Sequence, residues 1–283
     1  MPELPEVETV KRQLEKRIVG KRISSIKILS KKQFLGNFQK TIGQQIDRLW
    51  RRAKILAINV GRLTLLVHLK MTGQIIYLSK NRKPISVGHP LPFSPNQLPN
   101  KTTRVIIELE DGSRLFFNDL RKFGWIKLLD GDKIEKELSG LGPEPLEKDF
   151  SLDYFSKKLA NTRRMIKIVL MDQAVVAGIG NIYASEILFE AGINPARQAN
   201  SLSNREVANL YRAIKKILLQ AIDYGGTSAA DQAYIRPDAS PGRYQNKLRV
   251  YQREGKECFG CFGKVKRIKQ ANRSTFFCSS CQQ

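Results

Sequence analysis

The chain has 283 residues, and its 49 Lys and Arg against 26 Asp and Glu give a formal net charge of +23. The length allows two domains with separate cores, and the lack of any apolar run near ~18 residues excludes a membrane-spanning class. With no secretory leader, we expect a cytoplasmic protein, associated with the nucleoid. The basic excess predicts a polyanionic partner, nucleic acid before membrane; a highly soluble protein without such a partner is the alternative.

The opening segment, Met1 to Glu8, places a proline directly after the initiator methionine. Trimming of Met1 leaves Pro2 with a free secondary amine of pKa about 8, which is partly neutral and nucleophilic near pH 7. Attack on a sugar or carbonyl carbon gives an iminium, and Glu3 is placed to carry protons. The alternative is that the segment only starts a helix over about 5–19, since its prolines and glutamates suit a first turn. That alternative leaves Pro2 and Glu3 without a role.

The next part of the chain consists of short β-rich runs separated by Gly and Asp-Gly. The predicted strands are 23–29, 55–60, 63–69, 74–78, 104–110, 114–118 and 125–128. Asp111-Gly112 stands between two of them and predicts a hairpin turn. Such regular short strands indicate a β-sandwich or barrel. Residues 79–100 contain five prolines and predict an exposed loop, and residues 140–145 predict an interdomain linker.

From residue 151 the apolar spacing becomes helical. It predicts helices over 151–160, 162–173 and 182–191, and a fourth after residue 203. Ser203 and Glu206 form the capping box of that fourth helix, which Gly225-Gly226 ends. A loop over 225–243 follows. Residues 241–283 then hold ten basic residues against two acidic ones, which marks the tail as a phosphate contact.

All four cysteines lie in the last 26 residues, spaced as Cys258-x2-Cys261-x16-Cys278-x2-Cys281. Two such CxxC knuckles can close a tetrahedral zinc shell of four thiolates. A pair of disulfides is the alternative, and a cytoplasmic location disfavours it. We therefore expect one structural zinc ion, without an open coordination position and so without a catalytic role.

The chain resembles the bacterial formamidopyrimidine-DNA glycosylases from end to end. The motifs that carry the resemblance follow the same order along the chain: residues 2–9 (PELPEVET), 51–54 (RRAK), 68–73 (HLKMTG), 118–124 (NDLRKFG), 141–145 (LGPEP), 178–183 (GIGNIY) and the four-cysteine finger. Many motif matches in the same order are more specific than any single motif. The enzymes of this family remove oxidised purines from DNA.

The resemblance implies four catalytic residues. Pro2 would attack C1′ of the damaged nucleotide, and Glu3 would protonate the sugar or assist its ring opening. Lys54 would assist β-elimination; by composition alone it is a solvated surface lysine. Arg273, between the two knuckles, would bind the phosphates at the lesion and help δ-elimination; the alternative is a generic fingertip arginine that still touches DNA.

The resemblance also implies a set of residues that fill the gap left by a flipped base. Met71 and Phe123 would act as apolar wedges, and Arg121 would bond to the orphaned partner base, normally cytosine. Periodicity alone places Met71 and Phe123 in the core, although their Lys and Gly neighbours favour exposed turns. His68 would contact DNA, whereas its apolar strand by itself suggests a buried structural histidine.

Further DNA contacts are implied on the second half of the chain. Asn181, at the start of a helix after two glycines, would grip the strand with Lys167 beside it; a plain N-cap is the alternative for Asn181. The loop from Gly226 to Tyr244 would fold over the flipped base. One departure concerns Thr102, which stands where the resemblance leads us to expect a histidine that contacts DNA. Thr102 would supply a weaker hydrogen bond there, or Arg104 would substitute.

The resulting expectation is an α+β multidomain protein. Its parts would be an N-terminal catalytic β-sandwich with flanking helices (1–138), a linker (139–150), a helix–two turns–helix domain with the lesion-capping loop (151–243) and a zinc-finger β-hairpin (244–283). We expect a monomeric, zinc-containing glycosylase and abasic-site lyase acting on 8-oxoguanine and formamidopyrimidines in double-stranded DNA. The rivals are a pyrimidine-specific enzyme of the endonuclease eight type, which usually has Gly in place of Leu4, and a lesion-binding protein without chemistry.

Overall fold

The computed structural model describes residues 1–79, 98–227 and 242–283, and the backbone of residues 85–88. Most of the Pro-rich segment 79–100 and of the predicted capping loop therefore lies outside the described residues. Within them, none of the helices combines the length and the apolar character needed to cross a bilayer. Two compact units form: one contains residues 1–139 with 224–227 and 242–245, and the other 140–223 with 246–283. The sequence-based division had placed 224–243 with the helices.

Helix α1 (Leu4–Ile18) begins directly after the proposed catalytic residues. Glu3 occupies its N-cap position and forms a capping box with Glu6, which satisfies backbone amides that have no partner within the first turn. The apolar stripe predicted for this helix, Val7, Val10, Leu14 and Ile18, is buried in the core. The helix predicted from the opening segment is therefore confirmed, and it begins one residue earlier than expected.

Ten strands are described in the first unit. In chain order they are β1 (Ile23–Ile28), β2 (Phe34–Leu35), β3 (Ile46–Arg52), β4 (Ile55–Val60), β5 (Leu63–His68), β6 (Gly73–Leu78), β7 (Ile85–Gly88), β8 (Thr103–Leu109), β9 (Arg114–Asp119) and β10 (Trp125–Asp130). They form two five-stranded sheets, ordered β1-β8-β9-β6-β7 and β2-β10-β5-β4-β3. All described pairs are antiparallel except β2 with β10.

One apolar core joins the two sheets and α1. The inward-facing residues of β4 and β5 meet those of β8 and β9, so the first unit is a β-sandwich. The predicted hairpin is confirmed, because β8 and β9 pair antiparallel across Asp111-Gly112 and the amide of Ser113 bonds to Asp111. Strand β3 is not predicted from the sequence, because it is an edge strand in which charged residues interrupt the apolar alternation.

The remaining helices are α2 (Gly131–Leu138) in the first unit and α3 (Leu152–Ala160), α4 (Ile166–Met171), α5 (Asn181–Ala191) and α6 (Asn204–Asp223) in the second. Helix α4 is shorter than the predicted 162–173. Its start is delayed because Met165 forms a bridge with Gln198 and the amide of Ile166 bonds to the carbonyl of Arg197. Helix α5 ends as expected at Gly192, which adopts the left-handed conformation of a C-cap.

The start of α6 carries a strong local ion pair. Glu206 accepts hydrogen bonds from the amide and hydroxyl of Ser203, as the capping box predicted, and from both terminal nitrogens of Arg197. The bonds from Arg197, opposed by partial burial and supported by Ser203, lower the pKa of Glu206 to about 2. Because this folded-state pKa lies below the ordinary value of about 4.3, the carboxylate stabilises the fold above that value.

We expect Glu206→Gln to lower the melting temperature at pH 7 and to have little effect near pH 2. The stabilisation is fully present above about pH 4.3 and is lost as the pH falls towards 2, where the native carboxyl is also becoming protonated. Melting curves followed by circular dichroism between pH 7 and pH 2 measure the difference. A difference that stays constant over this range would contradict the assignment, since Gln keeps the capping geometry but not the charge.

The C-terminal hairpin consists of β11 (Val265–Gln270) and β12 (Arg273–Cys278). Its two-residue turn, Ala271-Asn272, has positive φ at both positions, the geometry that the twist of a hairpin favours. Asn tolerates this conformation better than other residues with a Cβ, so Asn272 suits the second position of the turn. The turn leaves Arg273 exposed as the first residue of the returning strand.

Candidate active site and nucleic-acid interface

The proposed nucleophile lies at the start of α1. Pro2 and Glu3 are both buried, and the amide of Glu3 donates to one carboxylate oxygen of Glu6 at 2.9 Å. The second oxygen of Glu6 accepts from the amide of Thr227, also at 2.9 Å. Gly226 adopts φ +77° there, and a Cβ at this position would approach the Glu6 carboxylate to 2.8 Å. Glu6 thus ties the start of α1 to the first residues of the predicted capping loop.

Lys54 lies in the tight turn between β3 and β4, directly after Ala53, which has φ +53°. It is only 6% exposed, so it is not a solvated surface lysine. Arg51 supports the turn by donating to the carbonyl of Ala53 at 3.0 Å and to the carboxylate of Glu8 at 3.2 Å. Burial raises the pKa of Glu8, but hydrogen bonds and charge from Arg12 and Arg51 outweigh it and lower the pKa. This ion pair joins α1 to the Lys54 turn.

His68 ends strand β5 and packs against Trp125, with 5.6 Å between the ring centroids. Its Nδ1 accepts from the amide of Lys70 at 3.0 Å. Burial, together with the positive charges of Lys70 and Lys54, lowers the pKa of His68 to about 3. The imidazole is therefore neutral at pH 7, and its remaining hydrogen is on Nε2, available to a hydrogen-bond acceptor such as a phosphate oxygen.

The three predicted gap-filling residues lie on two turns of the first unit. Met71 is half-buried, whereas Arg121 is exposed and Phe123 is 54% exposed. The guanidinium carbon of Arg121 lies 4.9 Å from the centroid of the Phe123 ring, a stacked pair. Lys70 and Lys122 have φ of +50° and +59°, so both turns are tight. The core interpretation of Phe123 is therefore wrong, and the exposed-turn prediction is confirmed.

Two functional candidates on these turns were missed by sequence reasoning. Asp119 ends β9 and is fully buried; its carboxylate accepts hydrogen bonds from the hydroxyl of Thr72 and the amide of Gly124. Thr72 in turn accepts from the amide of Arg121 at 3.0 Å. The signal in the sequence was an acidic residue at the end of an apolar strand, but a charged residue there is more often solvated.

Thr102, the residue in place of the usual histidine, is buried. Its amide and hydroxyl both donate to the side-chain oxygen of Asn100, at 2.9 and 2.7 Å. Donation from this hydroxyl to a DNA phosphate would require the bond to Asn100 to break. Arg104 is half-buried and donates to the backbone carbonyl of Asp119 at 3.0 Å.

In the second unit, a buried lysine links the helices to the finger. Lys167 is 1% exposed, and its ammonium donates to Asn181 Oδ1 at 2.6 Å and to Thr275 Oγ1 at 2.7 Å. Asn181 also donates to the carbonyl of Ser274 at 3.0 Å. Asn181 is the first helical residue, with Gly180 in the cap position, so the N-cap alternative is wrong. The network holds the strand that begins with Arg273 against the start of α5.

In the second unit, the buried acid Glu186 anchors the base of the finger. Glu186 on α5 accepts hydrogen bonds from three consecutive backbone amides, those of Arg249, Val250 and Tyr251. Burial raises the pKa of Glu186 against the opposing effect of these three donors. The sequence predicts no role for Glu186, because helical spacing alone does not reveal the distant loop that supplies its partners.

The four cysteines form one cluster. Their sulfur atoms all lie within 4.8 Å of one another, with 3.8 Å between Cys258 and Cys281 and 3.4 Å between Cys261 and Cys278. These separations exceed the ~2.05 Å of a disulfide and suit four thiolates that share a tetrahedral ion at ~2.3 Å. Burial raises the pKa of Cys278, but backbone amides of Cys281 and Ser280 and the neighbouring thiols lower it to about 7.

The structure thus divides the predicted site residues between the two units. The first unit holds Pro2, Glu3, Lys54, His68, Met71, Thr102, Arg121 and Phe123. The second unit holds Lys167, Asn181, Arg273 and the four cysteines.

Two family models match the chain. Residues 1–126 match the formamidopyrimidine-DNA glycosylase N-terminal domain, and residues 141–233 match the formamidopyrimidine-DNA glycosylase H2TH domain. Together these two matches account for most of both halves of the chain.

Relatives and solved structures agree with these matches. The chain is 40% identical to a formamidopyrimidine-DNA glycosylase of Pelotomaculum thermopropionicum, covering 100% of this chain and 99% of that protein, and 35% identical to one of Listeria monocytogenes, covering 100% of both. It is similar to a Lactococcus lactis FPG mutant in complex with a Fapy-dG containing DNA (TM-score 0.87, 35% identity, 100% of both chains) and to the Lactococcus lactis Fpg with an abasic site containing DNA (TM-score 0.87, 34% identity, 99% of both). The chain therefore belongs to the formamidopyrimidine-DNA glycosylase family.

Proposed function

We propose that this protein, a DNA glycosylase of base excision repair that acts on damaged DNA, removes oxidised purines and then cuts the strand as an abasic-site lyase. The substrates would be 8-oxoguanine opposite cytosine and ring-opened formamidopyrimidines. Support comes from solved relatives bound to DNA with a formamidopyrimidine lesion or an abasic site. The observation that carries the mechanism is the N-terminal Pro2-Glu3 pair, which the α1 capping box holds in place.

In the proposed first step the Pro2 amine, freed by removal of Met1, attacks C1′ of the damaged nucleotide. The bond from C1′ to the base breaks, and the base leaves with the electron pair and takes up the proton that the Pro2 nitrogen gives up. Glu3 protonates O4′ as the sugar ring opens, which leaves a positively charged iminium between Pro2 and C1′. No redox or nucleotide cofactor is needed, because the iminium itself is the electron sink.

In the proposed second step the iminium makes a C2′ hydrogen acidic. Removal of this proton expels the 3′ phosphate by β-elimination, and a second elimination expels the 5′ phosphate. Lys54 assists the first of these, and Arg273 at the fingertip holds the phosphates and assists the second. Two observations support this assignment: Lys54 is buried, and the Arg51–Glu8 ion pair joins its turn to α1.

The proposed DNA contacts follow the same division of the chain. Met71, Arg121 and Phe123 would fill the space of the flipped nucleotide, and His68 would donate from Nε2 to a phosphate. Asn181 would contact the strand at the start of α5, with Lys167 acting through Asn181 rather than directly, since its ammonium already bonds to that amide. For Thr102 the hydrogen bonds to Asn100 favour a contact made through the surrounding turn.

We also propose that the four cysteines hold one structural zinc ion. The sulfur separations fit a tetrahedral thiolate site, and the CxxC spacing lets each knuckle chelate from a tight turn. With four protein ligands the ion would have no position for substrate. Its contribution would be to keep the hairpin folded, so that Arg273 is presented to the phosphate backbone.

Borohydride trapping tests the proposed function. We expect a covalent adduct, mapped to Pro2, with a duplex that carries 8-oxoguanine opposite cytosine, because borohydride reduces the iminium to a stable amine. Duplexes with thymine glycol or an abasic site serve as comparisons. Preferential trapping on thymine glycol would transfer the assignment to the pyrimidine-specific relatives. Binding to all three duplexes without any adduct would show a lesion-binding protein without chemistry.

A further inference from the structure

We propose that Thr72 and Asp119 couple the two gap-filling turns, so that Met71, Arg121 and Phe123 enter the DNA as one unit. We call residues 70–72 and 120–123 the wedge turns. Thr72 and Asp119 would be positioning residues, which touch no DNA themselves. This inference rests on the proposed function, because it concerns the step in which the damaged base leaves the helix.

The hydroxyl of Thr72 is the direct bridge between the wedge turns. It donates to Oδ1 of Asp119 and accepts from the amide of Arg121 at 3.0 Å. Thr72 is itself buried, and it follows Met71 directly in the first wedge turn. A single hydroxyl therefore connects the turn that carries Met71 to the backbone of the turn that carries Arg121 and Phe123.

Asp119 fixes both ends of the second wedge turn. It is the last residue of β9, and its Oδ2 accepts from the amide of Gly124, where the chain leaves the turn, at 2.7 Å. Gln33 donates to the same oxygen at 3.3 Å. The backbone of Asp119 is fixed as well, because its amide bonds to the carbonyl of Thr102 at 2.9 Å. A buried carboxylate held in this way is costly to disturb, since each lost partner leaves desolvated charge.

Two glycines show that the bases of the wedge turns are closely packed. A Cβ on Gly73 would clash with the backbone carbonyl of Leu69, and one on Gly124 would lie 2.8 Å from the Phe117 ring. Both glycines flank the wedge turns, where the backbone approaches its neighbours closely. The bases of the turns are thus packed, while the tips that carry Arg121 and Phe123 are exposed.

Coupled turns predict a specific energetic signature. If Met71 and Phe123 insert together, removing one side chain already impairs insertion of the other. Removing the second side chain then slows excision less than it would in the native protein. The effects of Met71→Ala and Phe123→Ala on excision would then be less than multiplicative, with a coupling factor of at least about threefold. Independent turns would give effects that multiply.

The test combines this double-mutant cycle with removal of the Thr72 hydroxyl, which bridges the two wedge turns. Single-turnover excision of 8-oxoguanine opposite cytosine is measured for the two wedge variants and their combination, first with Thr72 and then with Thr72→Val. Valine keeps the shape of threonine without the hydroxyl, and we expect it to slow excision about tenfold and to abolish the coupling. Thr72→Ser retains the hydroxyl and should restore both the rate and the coupling.

The abasic duplex provides a readout that general destabilisation would not reproduce. It has no base to unstack, so Thr72→Val should slow its cleavage less than it slows excision of 8-oxoguanine. Melting curves check that each variant is folded. Multiplicative wedge effects in the native background would overturn the inference even if Thr72→Val failed to fold, and so would coupling that survives in Thr72→Val. A native protein that excises no base at all would instead refute the proposed function.

Discussion

Strand cutting should disappear when the Pro2 amine is blocked, while binding to lesion-containing DNA is retained. Insertion of Lys between Met1 and Pro2 achieves this, because a large second residue prevents removal of the initiator methionine and turns the proline nitrogen into an amide. Loss of a catalytic nucleophile can cost up to about a millionfold in rate. We therefore expect neither base release nor a borohydride adduct above background from this protein.

Pro2→Gly is the matched comparison, because it keeps a free amine at the same position. A primary amine still forms a Schiff base, so this variant should retain weak cutting and a trappable adduct. Gel shifts with an 8-oxoguanine duplex show whether both proteins still bind, and melting curves show whether α1 remains intact. Full cutting activity from the blocked protein would exclude Pro2 as the nucleophile, whatever the behaviour of Pro2→Gly.

The second large effect is expected at the four-cysteine cluster. Cys258→Ser, or treatment of the native protein with a strong chelator, should unfold the hairpin that carries Arg273, since structural zinc sites of this kind fold only with metal. Specific binding to lesion DNA should then fall to the non-specific level, with a Kd weaker than about 1 μM at physiological salt. Fluorescence anisotropy with a labelled duplex measures the change, and restored zinc should reverse the chelator effect.

The chain offers an internal control for this experiment. Its two tryptophans, Trp50 and Trp125, both lie in strands of the first unit, so their fluorescence reports on the β-sandwich alone. We expect their emission to be unchanged in Cys258→Ser. Ser279→Ala, an exposed residue of the second knuckle that offers no thiolate, should bind DNA normally. Native affinity in the metal-free protein would refute the role given to the finger.

Features that depend on residues close together in the chain were predictable. The Asp111-Gly112 hairpin, the Ser203–Glu206 capping box and the glycine that ends α5 all follow from local backbone preferences, and the structure confirms each. The cysteine cluster belongs to the same group, because each CxxC knuckle is a local turn. With only two knuckles in the chain, there is one way to combine them into a four-cysteine site. The family motifs then added the proposed gap-filling residues, two of which, Met71 and Phe123, periodicity alone had placed in the core.

Contacts between distant residues were not predictable from spacing. Thr72 and Asp119 are 47 residues apart, Lys167 and Thr275 are 108 apart, and Glu6 and Thr227 are 221 apart. Each pair consists of residues that look like ordinary solvated polar groups when read alone. Their burial is decided by which strands and helices pack together, and no local pattern encodes that packing.

The sequence by itself thus determined the family, the β-rich and helical halves, the nucleophile candidate and the likeness of the finger to a zinc site. Tertiary structure alone decided that Lys54 and Lys167 are buried, that Glu6 joins α1 to residue 227, and that one carboxylate holds both wedge turns. The physical reason is that motifs record which chemical groups are present, whereas burial and hydrogen-bond partners arise only when distant segments exclude water from between them.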